Sequence, residues 1–132
     1  MSRVVLVVDD EGDLAVTCAR LLEREGWQVA TAGTRAAALD VLGTPPRPAL
    51  AIVDRYLPDG DGLDVLPAAR VAGTPVIVVT AYAPTRTRRL SLAGGAAAFL
   101  GKPFSAGQLL TLVREVAGSP DPGRRIEPKE AS

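Results

Sequence analysis

Several short apolar runs in this 132-residue chain end on residues suited to phosphate or metal chemistry. Val4-Val5-Leu6-Val7-Val8 runs into Asp9-Asp10-Glu11, and Ala49-Leu50-Ala51-Ile52-Val53 runs into Asp54. Pro75-Val76-Ile77-Val78-Val79 ends on Thr80, and Lys102 follows the run Ala96 to Leu100. If Asp9, Asp10 and Asp54 meet in one hollow, their charges repel. At an effective dielectric of about 20, each like pair at about 4 Å costs roughly 4 kcal/mol. Either one acid keeps its proton or a cation binds. An all-oxygen, solvent-reachable set favours Mg²⁺, which keeps several waters and leaves positions for phosphate oxygens. A carboxylate can also attack phosphorus to give an acyl phosphate. A lysine ammonium and a hydroxyl would then offset the charge on the phosphoryl oxygens.

That convergence requires a particular fold. Each apolar run is short, rich in β-branched residues and bounded by turn formers, as in strands buried on both faces. Between the runs, helical spacing recurs. Leu14, Ala15, Cys18, Leu21 and Leu22 precede Gly26, and Ala36 to Leu42 precede Gly43 and Pro45-Pro46. Trp27 to Ala32 reads as the second strand. Asp61 to Val71 reads as a helix in which Pro67 forces a late start or a bend. Pro84 to Ala93 reads as an Arg-rich helix, with Arg86, Arg88 and Arg89 a solvated face, and Ser105 caps a last helix whose stripe is Leu109, Leu110, Leu112, Val113 and Val116. Five strand–helix units predict an α/β fold: a doubly wound five-stranded parallel sheet, flavodoxin-like (βα)5. With strand order 2-1-3-4-5, strands one and three flank the switch point, and every strand carboxyl end lies on one edge.

Composition narrows the classes of function. Lys plus Arg and Asp plus Glu both total 15, and this balance argues against a direct nucleic-acid or membrane-surface binder. The single cysteine, Cys18, excludes an internal disulfide, and no run near Met1 has the length of a signal peptide or membrane span; a cytoplasmic location is expected. The chain has no histidine, which excludes histidine-based catalysis. Residues 1–118 read as the folded domain, and 119–132 as a flexible polar tail or linker.

The motifs Val7-Val8-Asp9-Asp10-Glu11, Ile52-Val53-Asp54 with Leu57-Pro58-Asp59-Gly60-Asp61-Gly62, Val78-Val79-Thr80-Ala81, and Lys102-Pro103-Phe104 occur in order at matching strand ends. Together they make the chain resemble the receiver domains of two-component response regulators, over about residues 3 to 117. The resemblance implies a phosphorylation-activated switch, not an enzyme. It implies Asp54 as phosphoacceptor, and Mg²⁺ held by Asp10 directly, Asp9 through water, Asp54 and the main-chain carbonyl of Tyr56. It implies that Thr80 and Lys102 contact the phosphoryl group, that Thr80 and Phe99 form the switch pair, and that the bond before Pro103 is cis. The donor would be a histidine kinase or a histidine phosphotransfer protein. Signalling would run through protein contacts to an unknown output partner, with room for a phosphorylation-dependent dimer. The chain would be a stand-alone regulator or the receiver of a longer protein. The alternatives are a Mg²⁺-dependent phosphatase with an aspartyl nucleophile and a pseudo-receiver that only binds partners. Tyr56 and Tyr82, two residues after Asp54 and Thr80, are expected to overhang the site and hinder water.

Overall fold

The structure, a computed structural model, describes residues 3–81 and 84–120, with the backbone alone at Asp13 and Leu14. Five parallel strands form one sheet: β1 (Val4–Val8), β2 (Gln28–Ala32), β3 (Leu50–Asp54), β4 (Val76–Thr80) and β5 (Ala98–Gly101). Their order across the sheet is β2-β1-β3-β4-β5, the expected doubly wound arrangement. Five helices connect and follow them: α1 (Gly12–Arg24), α2 (Arg35–Gly43), α3 (Leu66–Ala72), α4 (Pro84–Ala93) and α5 (Ala106–Ala117).

The continuous apolar runs divide with period two between the faces of the sheet. Leu6, Val8, Ala51, Val53, Val76 and Val78 pack with Ala38 and Leu42 of α2 and Leu66 and Ala69 of α3. Val5, Val7, Leu50, Ile52, Ile77 and Val79 pack with Ala15, Cys18 and Leu22 of α1 and Leu109 and Val113 of α5. Cys18 is a buried free thiol, the small core hydrophobe its spacing predicts. The three inner strands are thereby fixed in register, with Val8 beside Val53, Asp54 beside Val79 and Thr80 beside Gly101.

Three local features refine the sequence reading, one of them as Pro67 foretold. The stretch after Asp54 is not simple loop: Tyr56–Leu57 pairs antiparallel with Gly60–Asp61, turning at Pro58-Asp59. Pro67 delays the following helix. A 3₁₀ turn spans Gly62–Val65, and α3 proper starts at Leu66 with Pro67 in its first turn, where a missing N–H costs nothing. The last strand begins at Ala98 rather than Ala96, because the Gly94-Gly95 turn keeps Ala96 bonded back to Ser91.

Local caps agree with the fold. Ser105 and Gln108 form a reciprocal capping box on α5, and Thr34 accepts from the Ala37 N–H at the start of α2. At the opposite edge from the acids, the Arg3 N–H donates to the Pro120 carbonyl at 2.7 Å. Its guanidinium reaches the Ala117 and Ser119 carbonyls and lies over the Trp27 ring. Residues from Asp121 onward, most of the expected tail, lie outside the described residues. No helix among the described residues is long and apolar enough to cross a membrane.

The hairpin is tied to α2 by Asp59, whose carboxylate accepts the Arg35 N–H at 2.7 Å and the Ala36 N–H at 2.9 Å. These two bonds, Ala36's first, hold its carboxyl below the usual aspartate range. A depressed folded-state pKa stabilises above the unfolded value of 3.8 and loses that contribution as pH falls through the folded one. Asp59→Asn is therefore expected to lower the urea midpoint at pH 7. The gap from wild type should close as pH is lowered below about 4, and equal midpoints at pH 7 would remove Asp59 from this role.

Candidate functional site

The carboxyl edge of the sheet gathers the predicted residues. The Asp9 N–H extends the β1 ladder by bonding the Ala32 carbonyl at 3.0 Å, and the residue is only 6 % exposed. Asp9 Oδ1 then accepts the Glu11 N–H at 2.8 Å, an Asx turn that opens α1. Asp54 ends β3 at 5 % exposure, and its Oδ1 accepts the Tyr56 N–H at 3.3 Å. The Lys102 N–H donates to the Thr80 carbonyl at 3.0 Å, so the residue just past β5 stays registered on β4.

From there the Lys102 ammonium reaches three acids. Nζ donates to Asp54 Oδ2 at 3.0 Å and to Asp9 Oδ2 and Glu11 Oε1, each at 3.1 Å. An ammonium has three N–H groups, and here each has a carboxylate acceptor. Burial alone would lower the Lys102 pKa. The bonds to Asp54 and Asp9, reinforced by their charge and by Glu11, outweigh it and hold the ammonium above the ordinary lysine range. Asp9 shifts up, chiefly because burial disfavours its charge. The Glu11 N–H and Lys102 oppose that rise, and the neighbouring Asp54 charge adds to it.

Carboxylate oxygens of Asp9, Glu11 and Asp54 lie within 4.8 Å of one another. The donor set is hard, all-oxygen and anionic, and it fits Mg²⁺. It differs in membership from the set expected from sequence. Asp10 is exposed at the rim and is not one of the three, while Glu11 is. The Asx turn explains the exchange: Asp9 folds over the Glu11 amide, and the intervening residue faces solvent. The signal available in the sequence was the i, i+2 spacing of Asp9 and Glu11, which an Asx turn brings together.

Thr80 is fully buried at the end of β4, beside this cluster through its bond to Lys102. Phe99 pairs in register with Val78 and packs partly buried against the α2–α3 core. Its outer side lines a cleft of about 570 Å³ with Pro84, Thr85, Arg88 and Leu92, away from the acids. The Lys102–Pro103 peptide is cis. Tyr56 is 46 % exposed, and its ring carries the Arg55 guanidinium 5.3 Å from the centroid. Tyr82 lies outside the described residues. Arg55 escaped the sequence reading: Nη1 donates to Thr87 Oγ1 on α4 at 2.8 Å, and Nε approaches Asp61 Oδ2 at 3.4 Å.

The sequence profile of the response regulator receiver domain matches residues 5–114. The chain belongs to that family. Two bacterial regulators are similar over the same span. The probable transcriptional regulatory protein TcrX of Mycobacterium tuberculosis (strain ATCC 25618 / H37Rv) is 38% identical over 112 residues, 83% of this chain and 47% of that protein. The transcriptional regulatory protein CpxR of Escherichia coli (strain K12) is 36% identical over 113 residues, 85% of this chain and 48% of that protein. The receiver thus spans about half the length of the curated relatives it matches. Among solved structures, a CheY-like receiver domain protein from Methanospirillum hungatei JF-1 superposes with TM-score 0.80 at 32% identity, covering 87% of this chain and 93% of that one. A response regulator protein from Burkholderia pseudomallei, solved with a phosphorylated aspartic acid, calcium ion and citrate, gives TM-score 0.75 at 31% identity, covering 83% and 65%.

The loop after Asp54 depends on one small residue. A Cβ on Gly62 would clash with the Asp54 carbonyl oxygen, a backbone atom that cannot swing aside. Gly62→Ala is therefore expected to destabilise the receiver by about 3 kcal/mol, the upper part of the usual overpacking range. A urea titration checks this, and a midpoint within error of wild type would contradict it.

Proposed function

We propose that this receiver is a phosphorylation-controlled switch in which Asp54 accepts the phosphoryl group. The observation that carries the reading is the Lys102 ammonium bonded to Asp54 Oδ2 while it also holds Asp9 and Glu11. In the reaction an Asp54 carboxylate oxygen forms the new bond to phosphorus. The bond from phosphorus to the donor nitrogen of a phosphohistidine, or to an acetate oxygen of acetyl phosphate, breaks, and its electron pair leaves with the donor. The phosphoryl oxygens gather negative charge, which Lys102 offsets from within reach and the Thr80 hydroxyl tempers by a hydrogen bond.

Asp9 and Asp54, with Glu11, would hold Mg²⁺, and the main-chain carbonyl of Tyr56 is the further oxygen the family resemblance supplies. Asp10 reaches that ion only by turning inward from its exposed position. Bound there, Mg²⁺ would supply positive charge against the phosphoryl oxygens. The phosphorylated aspartic acid and calcium ion of the Burkholderia pseudomallei relative support both parts of the reading.

This sequence has no histidine of its own, so the donor would be a histidine kinase or a phosphotransfer protein. Turning of Thr80 toward the phosphoryl group would open space for Phe99, which is half-buried beside α4 and suited to such a move. The output passes through protein contacts.

Incubation with acetyl phosphate and Mg²⁺ followed by intact-mass measurement tests the assignment. One acid-stable, base-labile phosphoryl group per chain is expected, absent from Asp54→Asn and absent when Mg²⁺ is chelated. Retention of the label in Asp54→Asn would contradict the assignment, and steady turnover of a generic phosphate ester would favour a phosphatase. The Tyr56 ring is half-exposed at the mouth of the site, so Tyr56→Asn is expected to shorten the lifetime of the phosphoryl group several-fold by admitting water. An unchanged decay rate would count against that role.

A further inference from the structure

We propose that Arg55 is a positioning residue that latches α4 to the segment carrying Asp54, and that a phosphoryl group on Asp54 releases this latch. The inference rests on Asp54 being the phosphoacceptor.

The packing of α4 motivates it. The inward residues of this helix are Thr87 and Ser91, both fully buried, whereas Leu90 and Leu92 are 40% and 47% exposed. Among the described residues, neither hydrophobic core cluster takes a side chain from 84–93, while α1, α2, α3 and α5 all contribute to one or the other. A helix so seated lacks the apolar anchor that gives most protein helices their stability. Ser91 Oγ donates within the helix to the Thr87 carbonyl. The Arg55–Thr87 bond at 2.8 Å instead crosses from the strand-end segment to the helix.

The other end of this bond belongs to the residue that follows the phosphoacceptor in the chain. Arg55 follows Asp54 directly, its N–H bonds the Val79 carbonyl, and its carbonyl accepts the Gly62 N–H. Its side chain is only 13% exposed and is shared between Thr87, Asp61 at 3.4 Å and the Tyr56 ring. A phosphoryl group on Asp54 brings about two negative charges to the residue next in sequence to Arg55. The new charge competes with a neutral hydroxyl, and the hydroxyl is the partner that α4 supplies. A hydrogen bond to a buried charge is strong enough that its loss changes a local opening equilibrium by about tenfold or more. The chemistry at Asp54 would thus reach α4, and the exposed Arg86, Arg88 and Arg89 on it, by a route separate from Thr80 and Phe99.

Hydrogen exchange of the α4 amides tests this in the full chain, using wild type, Arg55→Met, Thr87→Val and the double variant. Without phosphorylation, each single change is expected to speed exchange about tenfold, and the double no more than either. Unchanged exchange in both singles, or an additive double, would overturn the latch. After acetyl phosphate and Mg²⁺, with the label on Asp54 verified by mass, wild-type α4 should exchange faster and Thr87→Val should gain nothing further. A labelled wild type with unaltered α4 exchange would overturn the release. Failure to label would instead reject the phosphoacceptor reading and the release with it, while exchange in the double variant still decides the contact.

Discussion

The contact of one ammonium with three carboxylates organises the acidic edge of this receiver. Lys102 lies 93 and 91 residues from Asp9 and Glu11 and 48 from Asp54, yet its nitrogen is within 3.1 Å of all three. Two of the acids are almost wholly buried, and without a cation their charges would be untenable in so small a volume. The same arrangement makes the site responsive. Each carboxylate oxygen that holds the lysine is also an oxygen that a divalent ion would compete for, and a phosphoryl group on Asp54 would compete for the lysine itself, so a change of charge at Asp54 would be felt by Lys102 and by Thr80, whose carbonyl holds the Lys102 backbone.

The sheet makes this contact reproducible. β1, β3 and β4 are walled on both faces by apolar layers, and their registers fix where each chain leaves the sheet. Removing a residue such as Ile52 to Ala would cost about 2–5 kcal/mol, so slippage of these ends is strongly resisted. The rigid edge contrasts with the elements above it. The segment after Asp54 is tied by Asp59 to the start of α2, by Asp64 to Arg35, and by Arg55 to α4, all polar contacts, while Leu57 and Val65 join the apolar core. α4 in turn buries the polar Thr87 and Ser91 and, among the described residues, adds no side chain to either apolar layer.

Much of this was legible in the residues. Runs such as Val4 to Val8 and Val76 to Val79 carry β-branched and apolar side chains at successive positions, as in a strand buried on both faces, and the alternation with helices then points to a parallel sheet. The convergence of Asp9, Asp54 and Lys102 followed from that topology. Other features were not legible because they depend on contacts distant in sequence or on a local turn. Asp9, Asp10 and Glu11 are three adjacent acids until the Asx turn sorts them, leaving Asp10 in solvent and Glu11 on the ammonium. Pro67 announced trouble in its helix, and the 3₁₀ turn before Leu66 is the resolution. Arg55, a charge after a strand, reads as solvated, and its bond to Thr87 appears only when α4 packs with its polar side inward.

Because the ammonium and a divalent ion would share the same carboxylates, calorimetric titration of Mg²⁺ into wild type and Lys102→Met probes the central claim most directly. One ion per chain is expected in both proteins, with affinity about tenfold or more tighter in Lys102→Met, where the competing positive charge is gone. Equal or weaker binding in Lys102→Met would show that the lysine and the ion do not meet at one cluster, and would contradict the account.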